Sequence, residues 1–205
     1  MSEFFTIAQE SVFDFTEKRS KFISYSFRVS SQQEVRERLN AIKTEHWSAK
    51  HHVYAYVLNE GNSVKCSDDG EPGGTGGMPI LNAIQSASLK DTLVIVVRYF
   101  GGILLGTAGL RSAYKCGAEN VLELSGKTLF KLCKRVRLEV GYDKYSTVLN
   151  GVSDFGGKIL ESNFEDTVKL EIAVPEEEFE RFDKWIFQSC GDVASHNISK
   201  DYIHI

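Results

Sequence analysis

The sequence predicts an α+β protein of two domains. Three observations carry that expectation. Short apolar runs of period two alternate with segments whose apolar residues recur at helical spacing, so strands and helices are mixed along the chain. A long helical segment stops at Gly126, and the residues after it follow a rhythm of their own. The 205 residues, 42% hydrophobic and 25% charged, have the balance of a soluble globular protein, with room for one large core or two small ones.

The first strand is expected near Val12–Phe15. The polar run Glu17-Lys18-Arg19-Ser20 then reads as a hairpin turn. Next, Ile23, Tyr25, Phe27 and Val29 fall on one face, and Ser24, Ser26 and Arg28 on the other, which is a half-buried strand. Ser31–Trp47 reads as a helix, with Val35, Leu39 and Ile42 inward and Ser31 suited to the N-cap. Val53–Leu58 is the next strand. Pro79 suits a first helical turn, where its missing N–H costs nothing, and Ile80, Ala83, Ile84 and Ala87 give that helix a face of mostly small residues. Leu93–Val97 is an unbroken apolar run, expected at the centre of a sheet and buried on both faces. Ala108–Leu124 is a further helix.

Beyond Thr128, Val136, Leu138 and Val140 alternate, and Tyr145–Phe155 is helix-like. Lys158–Asn163 and Val168–Val174 are strands. Glu176–Ser189 is a helix with Phe179, Phe182 and Ile186 inward, and Val193–Tyr202 is a last strand. The order β-α-β-β-α-β is ferredoxin-like. The domains are therefore placed at 1–127 and 128–205.

The net charge is −4, so no general basic surface marks a nucleic-acid binder. Lys and Arg match Asp and Glu 14 to 14 in residues 1–127, and stand 10 to 14 in residues 128–205. An anionic partner must therefore meet a local patch. No apolar run approaches the ~18–20 residues that span a bilayer, and MSEFFTIAQE has no signal-peptide pattern. A cytoplasmic protein without membrane contact is expected. Cys66, Cys116, Cys133 and Cys190 are singletons without metal-ligand spacing, so reduced, mostly buried thiols are expected, with no metal and no cofactor.

Nine of the seventeen glycines lie between Gly70 and Gly109, in CSDDGEPGGTGGMPIL and RYFGGILLGTAGLRSAY. Each stretch falls between a strand and a helix, so both are expected to converge in one cleft. Asp68, Asp69 and Glu71 could serve as an acid/base pair or a hard-cation site, or could shape the loop through Asx turns. Gly101, Gly102 and Gly106 precede a helix start, a place that favours phosphate, yet Thr107-Ala108 stands where a Walker sequence has Lys-Ser/Thr. Arg98 and Tyr99 end a strand, and Arg111, Tyr114 and Lys115 share a helix face, so phosphate neutralisation and base stacking are open to them. Lys18, Arg19 and Lys21 could extend this patch. In the alternative reading, one or two of the arginines pair with Asp68, Asp69 or Glu71 and lock the loops. His51 and His52 point to opposite strand faces, so they do not chelate one ion, and His52 is taken to line the cleft with Gly73 and Gly74.

The stretches KRSKFI (18–23), HHVYAYVL (51–58), SDDGEPGGTGGMPIL (67–81) and VVRYFGGILLGTAGLRSAY (96–114) resemble the YigZ/IMPACT family, and the likeness runs along almost the whole chain. The resemblance implies an N-terminal domain similar to the second domain of ribosomal protein S5. It also implies a small ferredoxin-like C-terminal domain, so that the pair resembles the fourth and fifth domains of elongation factor G. It implies a link to translation, since eukaryotic relatives regulate translation under amino-acid starvation. The leading expectation is a non-enzymatic module that binds RNA or the ribosome through the glycine-rich cleft. The alternatives are an enzyme acting on a phosphorylated or nucleotide substrate in that cleft, and a protein-interaction regulator that docks through its C-terminal domain.

Overall fold

The computed structural model describes residues 3–59, 63–191 and 196–204. They form two compact units, Phe5–Thr128, and Leu129–Ile205 joined by Glu3 and Phe4. The expected class, α+β in two domains, is the one observed, and the described residues form two sheets and five helices.

The chain opens with a short strand that the sequence reading did not anticipate, β1 (Glu3–Ile7). Then come β2 (Ser11–Glu17), β3 (Ser20–Arg28), α1 (Gln32–Glu45), β4 (His51–Val57), β5 (Val64–Ser67), α2 (Gly77–Ser86), β6 (Thr92–Tyr99) and α3 (Gly106–Ser125). The sheet order is β2-β3-β6-β4-β5, with every pairing antiparallel. β6 is the central strand, as its apolar run requires. Val94 and Val96 join one core with Ile80, Ile84, Ala113 and Tyr114 from α2 and α3. Leu93, Ile95 and Val97 join another with Val35 and Ile42 from α1. Ser31 caps α1, its side chain accepting from Glu34 N at 3.2 Å. β5 was hidden from the sequence reading because its four residues, Val-Lys-Cys-Ser, are too few to show a period.

The second unit holds most of β7 (Lys127–Val140), then α4 (Tyr142–Asp154), β8 (Lys158–Phe164), β9 (Val168–Pro175), α5 (Phe179–Cys190) and β10 (His196–His204). β10 pairs with β7, β7 with β9, and β9 with β8, all antiparallel, which gives the ferredoxin-like strand order. Residues 193–195, expected to start the last strand, lie outside the described residues. Val136, Leu138, Leu170 and Ile172 pack under Val148, Val152, Phe182 and Ile186 from the two helices. β1 also joins this sheet beside β7, and Phe4 stacks on Phe130 at 6.0 Å. Assigning all of residues 1–127 to the first domain is therefore corrected at Phe4. Among the described residues its aromatic ring meets two others, Phe130 and, edge-on, Tyr202, both in the second unit.

All four cysteines are free thiols. Cys133 is buried, which pushes its thiol up to about 11, while Cys66, Cys116 and Cys190 are only half-buried, contrary to the expectation of mostly buried thiols. Among the described residues no helix is long and apolar enough to cross a membrane.

Candidate functional site

Strand register brings the two glycine-rich segments together. His51, the first residue of β4, lies opposite Arg98 near the end of β6, and Lys21 of β3 lies opposite Tyr99. β5 runs antiparallel to β4 and so leaves the sheet at the same end as β6. The segment after β5 (68–76) and the segment after β6 (100–105) meet there, next to the Lys18-Arg19 hairpin turn. Glu71 is the joint between them. Its Oε1 accepts from Arg98 Nη1 at 2.7 Å and from the Tyr114 hydroxyl at 2.7 Å. Both charged side chains are almost fully buried, 3% exposed for Glu71 and 6% for Arg98. Burial and the adjoining carboxylate push the Tyr114 hydroxyl far above its ordinary range, so it stays a donor.

The other two acids are also engaged within the loop. Asp68 Oδ1 accepts from Gly76 N and Gly77 N at 2.9 and 2.8 Å, and Oδ2 from Gly74 N at 2.8 Å. Burial raises the Asp68 pKa, but the three backbone N–H groups outweigh it and hold the carboxyl below its usual value. These bonds cap the start of α2, whose N-cap residue Gly76 has no side chain to do so. Asp69 Oδ2 accepts from His52 N at 2.7 Å, its carbonyl accepts from His51 Nδ1 at 2.9 Å, and Lys43 Nζ lies 3.6 Å from Oδ1. Among the described residues, no group of three or more His, Cys, Asp and Glu side chains could hold a metal ion.

Several expected contact residues therefore change role. Arg98 and Tyr114 were expected among the contact residues, but both are buried, and for Arg98 the alternative reading holds: a charge inside a core must pair, and Glu71 supplies the pairing. Tyr99 is half-buried and exchanges a hydrogen bond with His46 Nδ1 at 2.9 Å. His52 does not line the cleft. It is buried on the α1 side, where its Nε2 donates to His46 O at 3.2 Å, and burial lowers its pKa. The strand parity that separates the pair puts His51 in the cleft instead, with Nε2 3.9 Å from Glu71 Oε1. Arg111 and Lys115 are exposed as expected. Arg111 Nε donates to Gly74 O at 3.3 Å, and Lys115 pairs with Glu119 at 3.6 Å.

The glycines divide by purpose. A Cβ on Gly101 would lie 2.0 Å from the Arg19 carbonyl carbon and oxygen, so this residue lets the hairpin pack on the loop. Around Gly73, Gly74, Gly102 and Gly106 there is open space, and the last three have positive φ. They leave backbone accessible at the mouth of the site. The loop between Gly102 and Gly106 displays Ile103 and Leu104 outward.

Sequence reasoning gave the hairpin cations only a secondary place and assigned no role to the α1–β4 connection. Lys18 and Arg19 form a two-residue turn closed by the Glu17–Ser20 pair, with φ of 44° and 66°. Both are exposed, as is Lys50, and none of the three has an ion pair among the described residues. Trp47 projects from the α1–β4 connection at 82% exposure. The signal available for it was an indole next to His51-His52, outside the apolar period of α1.

The Impact N-terminal domain model matches residues 18–122, which contain every cleft residue described above, and the model of a domain of unknown function, DUF1949, matches residues 138–191. The chain is similar to IMPACT family member YvyE of Bacillus subtilis, 34% identical over 91% of this chain and 86% of that one. It is similar also to IMPACT family member YigZ of Escherichia coli, 30% identical over 77% and 79%. A crystal structure described as that of a hypothetical protein is 28% identical, covers 97% of this chain and 98% of its own, and aligns with a TM-score of 0.66. With one family model spanning the glycine-rich unit and relatives matched along most of their length, the chain belongs to the IMPACT family.

Proposed function

We propose that this protein is a cytoplasmic, translation-associated regulator that binds RNA or the ribosome through the glycine-rich end of its first unit. The observation that carries the reading is the Lys18-Arg19 turn. Left-handed backbone costs an ordinary residue about 1–2 kcal/mol, and a two-residue turn of this kind prefers Asn-Gly. Two adjacent cations are held there nonetheless, over Gly101, with no internal partner among the described residues. Strain kept at an exposed tip points to function rather than to stability. The acids beside it are engaged within the loop, Asp68 by three backbone N–H groups and Glu71 by an ion pair with Arg98, while Lys18, Arg19, Lys50 and Arg111 have no ion pair among the described residues and face the partner. The family's link to translation supplies the partner class.

The test is co-sedimentation with ribosomes from lysate at low and moderate salt, comparing wild type with Lys18→Asn/Arg19→Gly. The double variant relieves the turn, so its Tm rises by about 2–4 °C, while it no longer travels with ribosomal particles. If wild type stays in the supernatant at both salts, the reading is wrong.

A further inference from the structure

We propose that the same end of the first unit binds unpaired RNA bases, stacked on Trp47 and Phe100 between phosphate-holding cations. The inference rests on the RNA reading above and narrows it to single strands.

Trp47 follows a firmly held residue. His46 N donates to Ile42 O at 2.9 Å, and Ala49 N to His46 O at 2.9 Å, so the turn carrying the indole is hydrogen-bonded on both sides. The His46 ring is pinned as well, its two nitrogens meeting the Tyr25 hydroxyl at 2.5 Å and the Tyr99 hydroxyl at 2.9 Å. An indole on a rigid turn, 82% exposed and without a ring contact among the described residues, is a platform with little ordering left to do. Phe100 is 45% exposed and is backed by the Arg98 guanidinium, 5.5 Å from its ring centre. Glu71 fixes that guanidinium, so the aromatic ring is supported from behind.

Topology places these groups together. Tyr99 is the last residue of β6, and its hydroxyl reaches His46, so residues 46–50 and 100–104 leave the sheet at one end. The Lys18-Arg19 turn lies there too, packed on Gly101. Exposed cations without an ion pair among the described residues at this end include Lys18, Arg19, Lys50 and Arg111; Lys21 and Lys43 are also exposed but pair with Asp14 and Asp69, and Glu17 and Glu45 are exposed acids. Cations alone would suit a duplex backbone, and exposed aromatics alone would suit an apolar protein face. Gathered at one end of the sheet, the two together match single-stranded nucleic acid, where bases stack on rings and phosphates meet cations. Such stacking tolerates any base, so weak sequence preference is expected.

The measurement uses the full chain carrying Trp185→Phe, which leaves Trp47 as its one indole. Its fluorescence is titrated with a 12-nucleotide oligouridine, a 12-base-pair RNA duplex and polyglutamate. Oligouridine quenches the indole, and the duplex binds at least tenfold more weakly. Read by the anisotropy of a fluorescein-labelled oligouridine, since Trp47→Ala leaves no indole, Trp47→Ala and Phe100→Ala each weaken oligouridine binding about tenfold with an unchanged salt slope, because a ring releases no counterions. Trp47→Ala changes only an exposed side chain, so its melting temperature matches the parent and the comparison does not depend on Phe100→Ala folding. If Trp47→Ala binds oligouridine as the parent does, or the duplex binds as tightly as the single strand, stacking is refuted while the RNA reading survives. Binding of neither RNA, or of polyglutamate in preference to both, overturns the two together.

Discussion

At the residue scale, the cleft is organised by buried electrostatics. Removing one partner of a buried ion pair leaves the other charge unpaired, at a cost of about 3–5 kcal/mol. Glu71→Ala is therefore expected to lower the denaturant stability of the first unit by about that much, because Arg98 and Tyr114 lose their shared acceptor. Replacing both partners, Glu71→Leu with Arg98→Met, recovers the part due to the unpaired charge, while the buried Tyr114 hydroxyl still lacks its acceptor at about 1–3 kcal/mol. Asp68 gives a pH-dependent counterpart. Its folded-state pKa lies below the unfolded value of about 3.9, so its contribution is present above that pH and is lost as pH falls through the folded value. Asp68→Asn should cost about 1–3 kcal/mol at pH 7, and urea melts should show the gap to wild type closing only below about pH 4. The residues of this site were legible in the sequence as a group, and loop-locking pairs were one of two readings offered, but nothing local chose between that reading and a solvent-facing rim. Asp68, Glu71 and Arg98 stood in unusual motifs, yet whether a motif arginine faces solvent or a carboxylate 27 positions away depends on how two loops meet. That is a tertiary fact with no local period.

At the element scale, the β2–β3 hairpin and the loop after β6 behave as one piece. Arg19 backbone fills the place of a Gly101 side chain, and the Ser20 hydroxyl accepts from Gly101 N at 3.3 Å. Gly101→Ala must push the hairpin away and should cost about 3 kcal/mol, the upper end of overpacking. Gly102→Ala meets open space and bears only its left-handed φ of 85°, about 1 kcal/mol. Thermal melts of the two neighbours separate close packing from backbone conformation, and equal losses would rule out the packing account. Elements with a long apolar period were readable in advance. The α3 helix was expected over Ala108–Leu124 and spans Gly106–Ser125, and β6 holds the centre of its sheet. β5 and β1 were missed because each is only four or five residues long and is fixed by its neighbours, not by its own pattern.

At the scale of the whole molecule, the units are not two consecutive stretches of chain. Phe4 is buried, and its ring lies 6.0 Å from Phe130 and 5.0 Å from Tyr202, both more than 120 positions away. Ile7, three residues on, is buried in the core of the first unit. The strand β1 thus begins in one unit and ends in the other. Truncating a buried phenylalanine removes about 3–5 kcal/mol, and the unit that bears the loss is the one whose core held the ring. Phe4→Ala should therefore weaken the second unit although the substitution lies at the opposite end of the chain. Native-state hydrogen exchange reads the two units separately. Amides of Val136–Val140 and Leu170–Val174 should exchange faster, while those of Val94–Val97 at the centre of the first sheet keep their protection. Equal acceleration in both units would mean that they unfold as one cooperative body. Acceleration confined to the first would assign Phe4 to its core and contradict the strand pairing described above.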